Sequence, residues 1–323
     1  MKPRVFIPER IAECGMSIVQ ESCECIAPWR DGKECTDAEQ REILPGVDAV
    51  IVRLFTISAA DLEQCPNLKV IGKHGVGVDN IDCEAATARG IPVVFTPTAN
   101  SNAVAEHALA LMLALARHIV PSSVALREGR FADRAQFTGV ELAGKTLGVV
   151  GLGRIGSRVA EMASAGMDMK VRGYDPYHTA DTYKGPAVLE TSLDELFRAV
   201  DFLTLHVALS AETQHLINDE RMRMLKPGCR LINTSRGPVV DERALVRALE
   251  EERIAGAAID VFEEEPVPAD HPLCAAPNLL LTPHISSSSR ESMDRMARDS
   301  AQGVVDVLNG KSPANVANSD VMS

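Results

Sequence analysis

Gly151, Gly153 and Gly156 stand in a Gly-X-Gly-X-X-Gly run that follows the apolar stretch 146–150 and opens a helix pattern through Ser157, Val159 and Ala160. In that context the first glycine permits a tight turn. The second lets backbone approach a pyrophosphate, and the third lets helix and strand pack closely. The helix start adds positive potential for the phosphates. Asp175 comes nineteen residues after Gly156, at the end of the next strand pattern. A carboxylate there accepts hydrogen bonds from ribose hydroxyls and repels a 2′-phosphate. Pro176, Tyr177, His178 and Thr179 provide no arginine to hold such a phosphate, so NAD is expected over NADP. The competing reading is an accidental glycine-rich turn and a surface aspartate.

Three further residues end apolar stretches. Arg236 follows 231–232, Glu265 lies in the acidic run after 255–259, and His284 follows 279–281. A strand-end arginine in an open α/β sheet sits where ligands bind, and its planar fork suits a carboxylate. A structural ion pair for Arg236 is the alternative. A histidine there can give or take a proton near neutral pH, and a hydrogen-bonded glutamate would fix its tautomer. Glu263 and Glu264 are expected to face solvent. His206, also at a strand end, is the rival base.

The elements that must position these groups alternate strand and helix. Short Val/Ile-rich strands are expected at 4–8, 48–53, 68–73 and 92–96, with helices such as 37–44 and 83–89 between them. This is the rhythm of a parallel sheet covered on both faces. One long buried helix is expected over 101–127, then a loop over 128–144. A second series has strands at 146–150, 169–174, 202–206, 229–233, 255–259 and 279–281, the pattern of a doubly wound dinucleotide domain. A long amphipathic helix is expected over 288–308.

The chain has 323 residues, room for two domains, and a net charge of −12. That charge argues against a chain-wide grip on nucleic acid or anionic lipid. The longest apolar run, 108–116, falls far short of the roughly 18 residues that span a bilayer, and no signal peptide is apparent. A cytoplasmic location is expected. The eight cysteines include no CxxC pair, so no metal site is expected and free thiols are the reading.

Taken in order, the motifs at 151–156, 233–241, 260–266 and 282–284 resemble those of NAD-dependent D-isomer-specific 2-hydroxyacid dehydrogenases. His74 to Asp82 is similar to that family's substrate loop, and Thr96 to His107 to its hinge-helix motif. Within the family the likeness is greatest to short phosphoglycerate dehydrogenases and hydroxypyruvate reductases. It implies an α/β protein of two doubly wound parallel-sheet domains. A Rossmann NAD-binding domain, 100–287, is inserted into a flavodoxin-like substrate domain, 1–99 with 288–323. It implies hydride transfer between NAD and a small anionic 2-hydroxy or 2-oxo acid. Arg236 would hold the carboxylate, His284 move the proton and Glu265 support it.

The resemblance also implies cofactor contacts from Gly151, Gly153, Arg154, Ile155, Gly156, Asp175, His206, Thr234, Asp260 and Val104. Substrate contacts would come from Val76, Gly77, Arg53, Lys73 and Asn100. A homodimer would form through the helix after Ser101 and the 128–144 arm. Arg53 and Lys73 hint at a second anionic group on the substrate, whereas Leu54 and Phe55 weigh against a phosphate. Hydroxypyruvate, phosphoglycerate and a sulfonated C3 acid stay open. One departure from the family is Ala208, where a proline is common. The chain stops at 323, so no serine feedback through a C-terminal regulatory domain is expected. Alternatives on the same scaffold are a formate- or phosphite-type dehydrogenase and an NAD-sensing corepressor.

Overall fold

A computed structural model describes residues 2–33 and 35–322. The chain divides into two compact units, one formed by residues up to Asn100 together with those from Ser288, the other by Ser101–Ser287.

In the first unit the strands are β1 (Arg4–Phe6), β2 (Glu24–Ile26), β3 (Ala49–Val52), β4 (Val70–Lys73) and β5 (Val93–Val94). They form one parallel sheet in the order β2-β1-β3-β4-β5. Helices α1 (Glu13–Ser22), α2 (Asp37–Ile43), α3 (Ala59–Glu63) and α4 (Cys83–Ala88) connect them. α2 and α3 both begin with reciprocal capping boxes, Thr36 with Glu39 and Ser58 with Asp61. α1, α3 and the edge strand β2 are elements that the hydrophobic pattern does not single out.

The second unit holds α5 (Ser101–Ala116), α6 (Ile119–Arg127), β6 (Thr146–Val150), α7 (Arg154–Met167), β7 (Lys170–Tyr174), β8 (Val188–Leu189), α8 (Leu193–Ala199), β9 (Phe202–Leu205), α9 (Asp219–Met222), β10 (Arg230–Asn233), α10 (Glu242–Glu250), β11 (Gly256–Ile259) and β12 (Leu279–Leu281). Its seven parallel strands run β12-β11-β10-β9-β6-β7-β8. The chain winds one way from β6 and the other way from β9, so the switch point, where such sheets bind ligands, lies between these two strands. Both sheets have the expected Rossmann-type α/β character; β8 adds a seventh strand to the six expected.

The helix expected over 101–127 is two helices, bent by 60°. His118 takes a left-handed conformation at φ 52°. Pro121 gives the reason, since it has no N–H to donate to the carbonyl of Arg117 in a continuous helix but is tolerated in a first turn. The Ala116 carbonyl instead accepts from the Val140 N–H (2.9 Å). The expected loop after Glu128 contains a 3-10 segment, Phe131–Phe137. Among the described residues no single helix is long and apolar enough to cross a membrane.

The last helix, α11 (Arg290–Leu308), returns to the first unit and buries Met296, Ala297, Ala301, Val304 and Val305. Full burial of a methionine or valine side chain contributes about 1.5–3 kcal/mol, and of an alanine methyl less than about 1 kcal/mol. Closeness is set by glycines. A Cβ on Gly72 of β4 would lie 2.6 Å from Val304, and one on Gly15 of α1 2.6 Å from the Ala297 carbonyl oxygen. Gly15→Ala should therefore destabilise the protein. The helix-propensity gain of about 1 kcal/mol does not offset a backbone collision whose overpacking cost reaches about 3 kcal/mol. Urea unfolding should show a net loss of about 2 kcal/mol, and an unchanged midpoint would contradict the packing described.

Candidate active site

β6 delivers the glycine turn. Gly151 has φ 87°, and a Cβ there would lie 2.5 Å from the carbonyl oxygen of His206. A Cβ on Gly156 would come within 1.9 Å of the Gly151 oxygen, so only glycine lets α7 approach the strand. Gly153 differs, for a Cβ there meets no protein atom within 4 Å. It caps α7 without a side-chain bond, so the first-turn amides of a 14-residue helix have no side-chain acceptor at that cap. Arg154 is exposed and Ile155 half-buried at that helix start, and Val104 is buried in α5.

Asp175, just past β7, accepts from the Leu152 N–H (2.8 Å) and the Tyr177 N–H (2.9 Å), which fixes its carboxylate beside the glycine turn. Its remaining lone pairs can take hydroxyl donors. Past β10, the Thr234 hydroxyl is buried with no hydrogen-bond partner among the described residues. An open turn, an uncapped helix start, an oriented carboxylate and an orphaned hydroxyl fit a dinucleotide.

His206 ends β9 at the switch point, 2.9 Å from the Thr204 hydroxyl. Burial lowers its pKa to about 3, so the ring is neutral at physiological pH.

The other strand ends are tied together by backbone. Buried Asn233 accepts from the Ser235 amide and hydroxyl and donates to the Arg236 carbonyl (2.9 Å), locking the turn that carries Arg236. A Cβ on Gly237 would sit 1.9 Å from the Phe262 carbonyl, so this turn packs directly on the one leading to Glu265. Glu265 accepts from the Phe262 N–H (3.1 Å) and lies 2.7 Å from His284 Nδ1. The Glu265–Pro266 bond is cis. Burial alone would raise the Glu265 pKa. The His284 hydrogen bond and charge, the Phe262 amide and the Arg236 charge outweigh it and hold the carboxyl below its ordinary range.

His284 has φ 50°, a strained region for a non-glycine residue, and a buried aspartate holds it there. The fully buried Asp260 carboxylate accepts from the Thr282 hydroxyl (2.6 Å) and from the amides of Ile285 and Ser286 (both 2.9 Å). Its carbonyl accepts from the His284 N–H (2.8 Å). His107 joins from α5, with Nε2 3.3 Å from the Thr282 hydroxyl and 3.7 Å from Asp260 Oδ1. Sequence reasoning placed His107 in a motif but gave it no role. Glu263 and Glu264 are both exposed, as expected; Glu263 also accepts from the Glu242 N–H (3.1 Å) and lies 3.2 Å from His215 Nε2.

In the first unit, the Lys73 ammonium is buried and donates to the Arg53 carbonyl and to Asn80 Oδ1 (2.5 Å each). The Arg53 guanidinium donates to the Arg10 carbonyl (3.0 Å). Val76 and Gly77 are half-buried, and the buried Asn100 side-chain Oδ1 lacks a partner among the described residues. Burial, then the Arg53 charge, lowers the His74 pKa to about 4. Glu9 was missed. Its carboxylate accepts from the amides of Arg53 (2.6 Å), Leu54 (2.8 Å) and Phe55 (3.2 Å), fixing the turn after β3. The only sequence signal is a carboxylate placed three residues beyond β1.

A family model described as "D-isomer specific 2-hydroxyacid dehydrogenase, NAD binding domain" matches residues 109–286. The chain is 41% identical to a glyoxylate reductase of Thermofilum pendens, covering 99% of this chain and 96% of that protein. It is 42% identical to a D-3-phosphoglycerate dehydrogenase of Synechocystis, over 95% of this chain and 54% of the longer relative. A solved structure of an NADPH-dependent glyoxylate/hydroxypyruvate reductase from Sinorhizobium meliloti, in complex with NADP and malonate, superposes with a TM-score of 0.86. The two are 28% identical over 98% of this chain and 97% of that one.

The lowered Glu265 pKa makes a statement about stability. A depressed carboxyl pKa contributes stability above the unfolded value, about 4.3 for glutamate, and loses it as pH falls through the folded value. Glu265→Gln should flatten the acid limb of unfolding free energy against pH, with wild type and variant converging at the acid end. Parallel curves would show that the His284 contact lowers nothing.

Proposed function

We propose that this chain, which belongs to the D-isomer specific 2-hydroxyacid dehydrogenase family, interconverts a short D-2-hydroxy acid and its 2-oxo acid with Arg236, Glu265 and His284 as its catalytic residues. The 2.7 Å contact between His284 and Glu265 carries this reading. When bound, the cofactor would supply the hydride as NADH in reduction and accept it as NAD+ in oxidation. The glycine turn, Arg154 and Ile155 at the start of α7, and Asp175, Thr234, His206, Asp260 and Val104 are proposed to line its site in the unit spanning Ser101–Ser287. Asp175 with no arginine after it favours NAD over NADP.

Arg236 pairs with the substrate carboxylate and stabilises negative charge on the C2 oxygen. Glu265, kept ionised, holds the Nδ1–H tautomer of His284. Nε2 then takes the hydroxyl proton in oxidation and returns it in reduction. His206 is a poor rival, because its ring meets the Thr204 hydroxyl and no carboxylate among the described residues. The amides of Val76 and Gly77, which make no backbone hydrogen bond among the described residues, and the side chain of Asn100 are proposed as the first unit's substrate contacts.

For the substrate we favour glyoxylate or hydroxypyruvate. Lys73 already donates to two acceptors, and Leu54 beside Arg53 is exposed. Arg53 is then the residue that meets any distal polar group. NADH oxidation should be fastest with these two, slower with pyruvate, sulfopyruvate and phosphohydroxypyruvate, and slower again with NADPH in place of NADH. A preference for phosphohydroxypyruvate would overturn the substrate choice, and no turnover with any 2-oxo acid would overturn the activity. His284→Ala should lower kcat by about 10²–10⁴-fold, and His206→Ala by far less.

A homodimer built on α5, α6 and the 128–144 arm is supported by Ile119, Val120, Val124, Leu126 and Phe131, all exposed on contiguous elements. Sedimentation should give a dimer for the wild type and a folded monomer for Leu126→Asp/Phe131→Asp. A monomeric wild type would contradict the arrangement. Eight free thiols suit a reducing compartment, so we assign the enzyme to the cytoplasm.

A further inference from the structure

Opposite the strand ends that carry Arg236 and His284, the amino-terminal ends of β6, β9 and β10 surround a second pocket of about 230 Å³. Its lining includes Lys145, Asp201, Phe202, Gly228 and Arg230. Arg230 is only 9% exposed. Its guanidinium lies 5.7 Å from the Phe202 ring centre and makes one hydrogen bond, to the Gly228 carbonyl (3.2 Å). No carboxylate of a described residue pairs with it. Five N–H donors and a full positive charge thus share one carbonyl and one aromatic face.

The nearby carboxylate is already engaged. Asp201 accepts from the Thr146 N–H (2.8 Å) and from the Lys226 ammonium (3.0 Å), and the Lys145 charge also acts on it. The lining therefore combines two cations, Lys145 and Arg230, with one carboxylate that Lys226 already pairs, in a chain whose net charge is −12. A buried guanidinium without a counter-charge is costly, and its desolvation lowers the Arg230 pKa without neutralising it.

We propose that this pocket is an oxyanion site, in which Arg230 and Lys145 bind a phosphate- or sulfate-class anion. The planar fork of Arg230 suits two oxygens of such a group, and the exposed Lys145 adds a point charge at the rim. The site is built wholly within the Ser101–Ser287 unit and shares no residue with the glycine turn or with Arg236, Glu265 and His284. Occupancy stabilises that unit by mass action and leaves the chemistry unchanged.

The test is a titration of the NADH-saturated enzyme with inorganic phosphate in chloride buffer at constant ionic strength, followed by ³¹P NMR and by melting temperature. The wild type should show a saturable ³¹P shift and a rising melting temperature. Arg230→Met should weaken binding about tenfold or more, equivalent to at least 1.4 kcal/mol. Lys145→Met should weaken it less, and Arg230→Lys should retain part of it. Absence of saturation in the wild type overturns the proposal. So do matching titrations of wild type, Arg230→Met and Lys145→Met, which would mean that phosphate binds only where the cofactor or substrate does. If Arg230→Met does not fold, Arg230→Lys and Lys145→Met decide the matter. Loss of the dimer in Arg230→Met with no phosphate binding by the wild type would assign the guanidinium to a partner carboxylate instead.

Discussion

The Asp260 carboxylate, closed off from solvent, is the fastening on which the second unit's strand ends depend. Its amide donates to the Asn233 carbonyl, its own carbonyl accepts from His284, and its side chain gathers Thr282, Ile285 and Ser286. Three elements, β10, β11 and the exit from β12, are thereby locked in one register. A buried carboxyl group is tolerated only when its polar atoms are met, and here two amides and a hydroxyl do so. The left-handed backbone of His284 is unfavourable by itself. It is tolerated because this network over-determines it, and the imidazole consequently faces Glu265 without a search through rotamers.

Much of this architecture is readable from residue order. Parallel strands buried on both faces show as short Val/Ile/Leu runs, and the glycine turn has a spacing set by steric limits that only glycine meets. Which residues end the strands is equally legible, because Arg236, Glu265 and His284 each follow an apolar run. What the sequence does not contain is their separation. That depends on Gly237 admitting the Phe262 carbonyl and on Asn233 clamping the turn, both contacts between segments far apart in the chain. The break after Ala116 had a signal in Pro121, masked by the apolar composition on either side. Glu9 had only its place just past β1 and Arg230 had no signal, since a carboxylate that caps amides 44 residues away looks like any surface acid.

The first unit applies the same device at Glu9 and its opposite polarity at Lys73. Glu9 fills the nest of amides at 53–55 with an internal anion, and Asn80 and Arg53 supply acceptors to Lys73. Both turn geometries are thus set by side chains that satisfy backbone from a distance rather than by the turn's own residues. Such turns keep their shape when their exposed side chains change, which leaves Arg53 and Leu54 free to vary.

The return of α11 to the first unit has a consequence for how the chain is made. A ribosome releases β1 to β5 long before it has synthesised the helix whose Ala297, Ala301 and Val304 cover one face of that sheet. The nascent amino-terminal hundred residues must wait, with Val5, Ile51 and Val70 lacking their final cover, while the intervening segment emerges and can fold by itself. Vectorial synthesis therefore completes the inserted body first and the flanking one last, and chaperone demand should be concentrated in that interval.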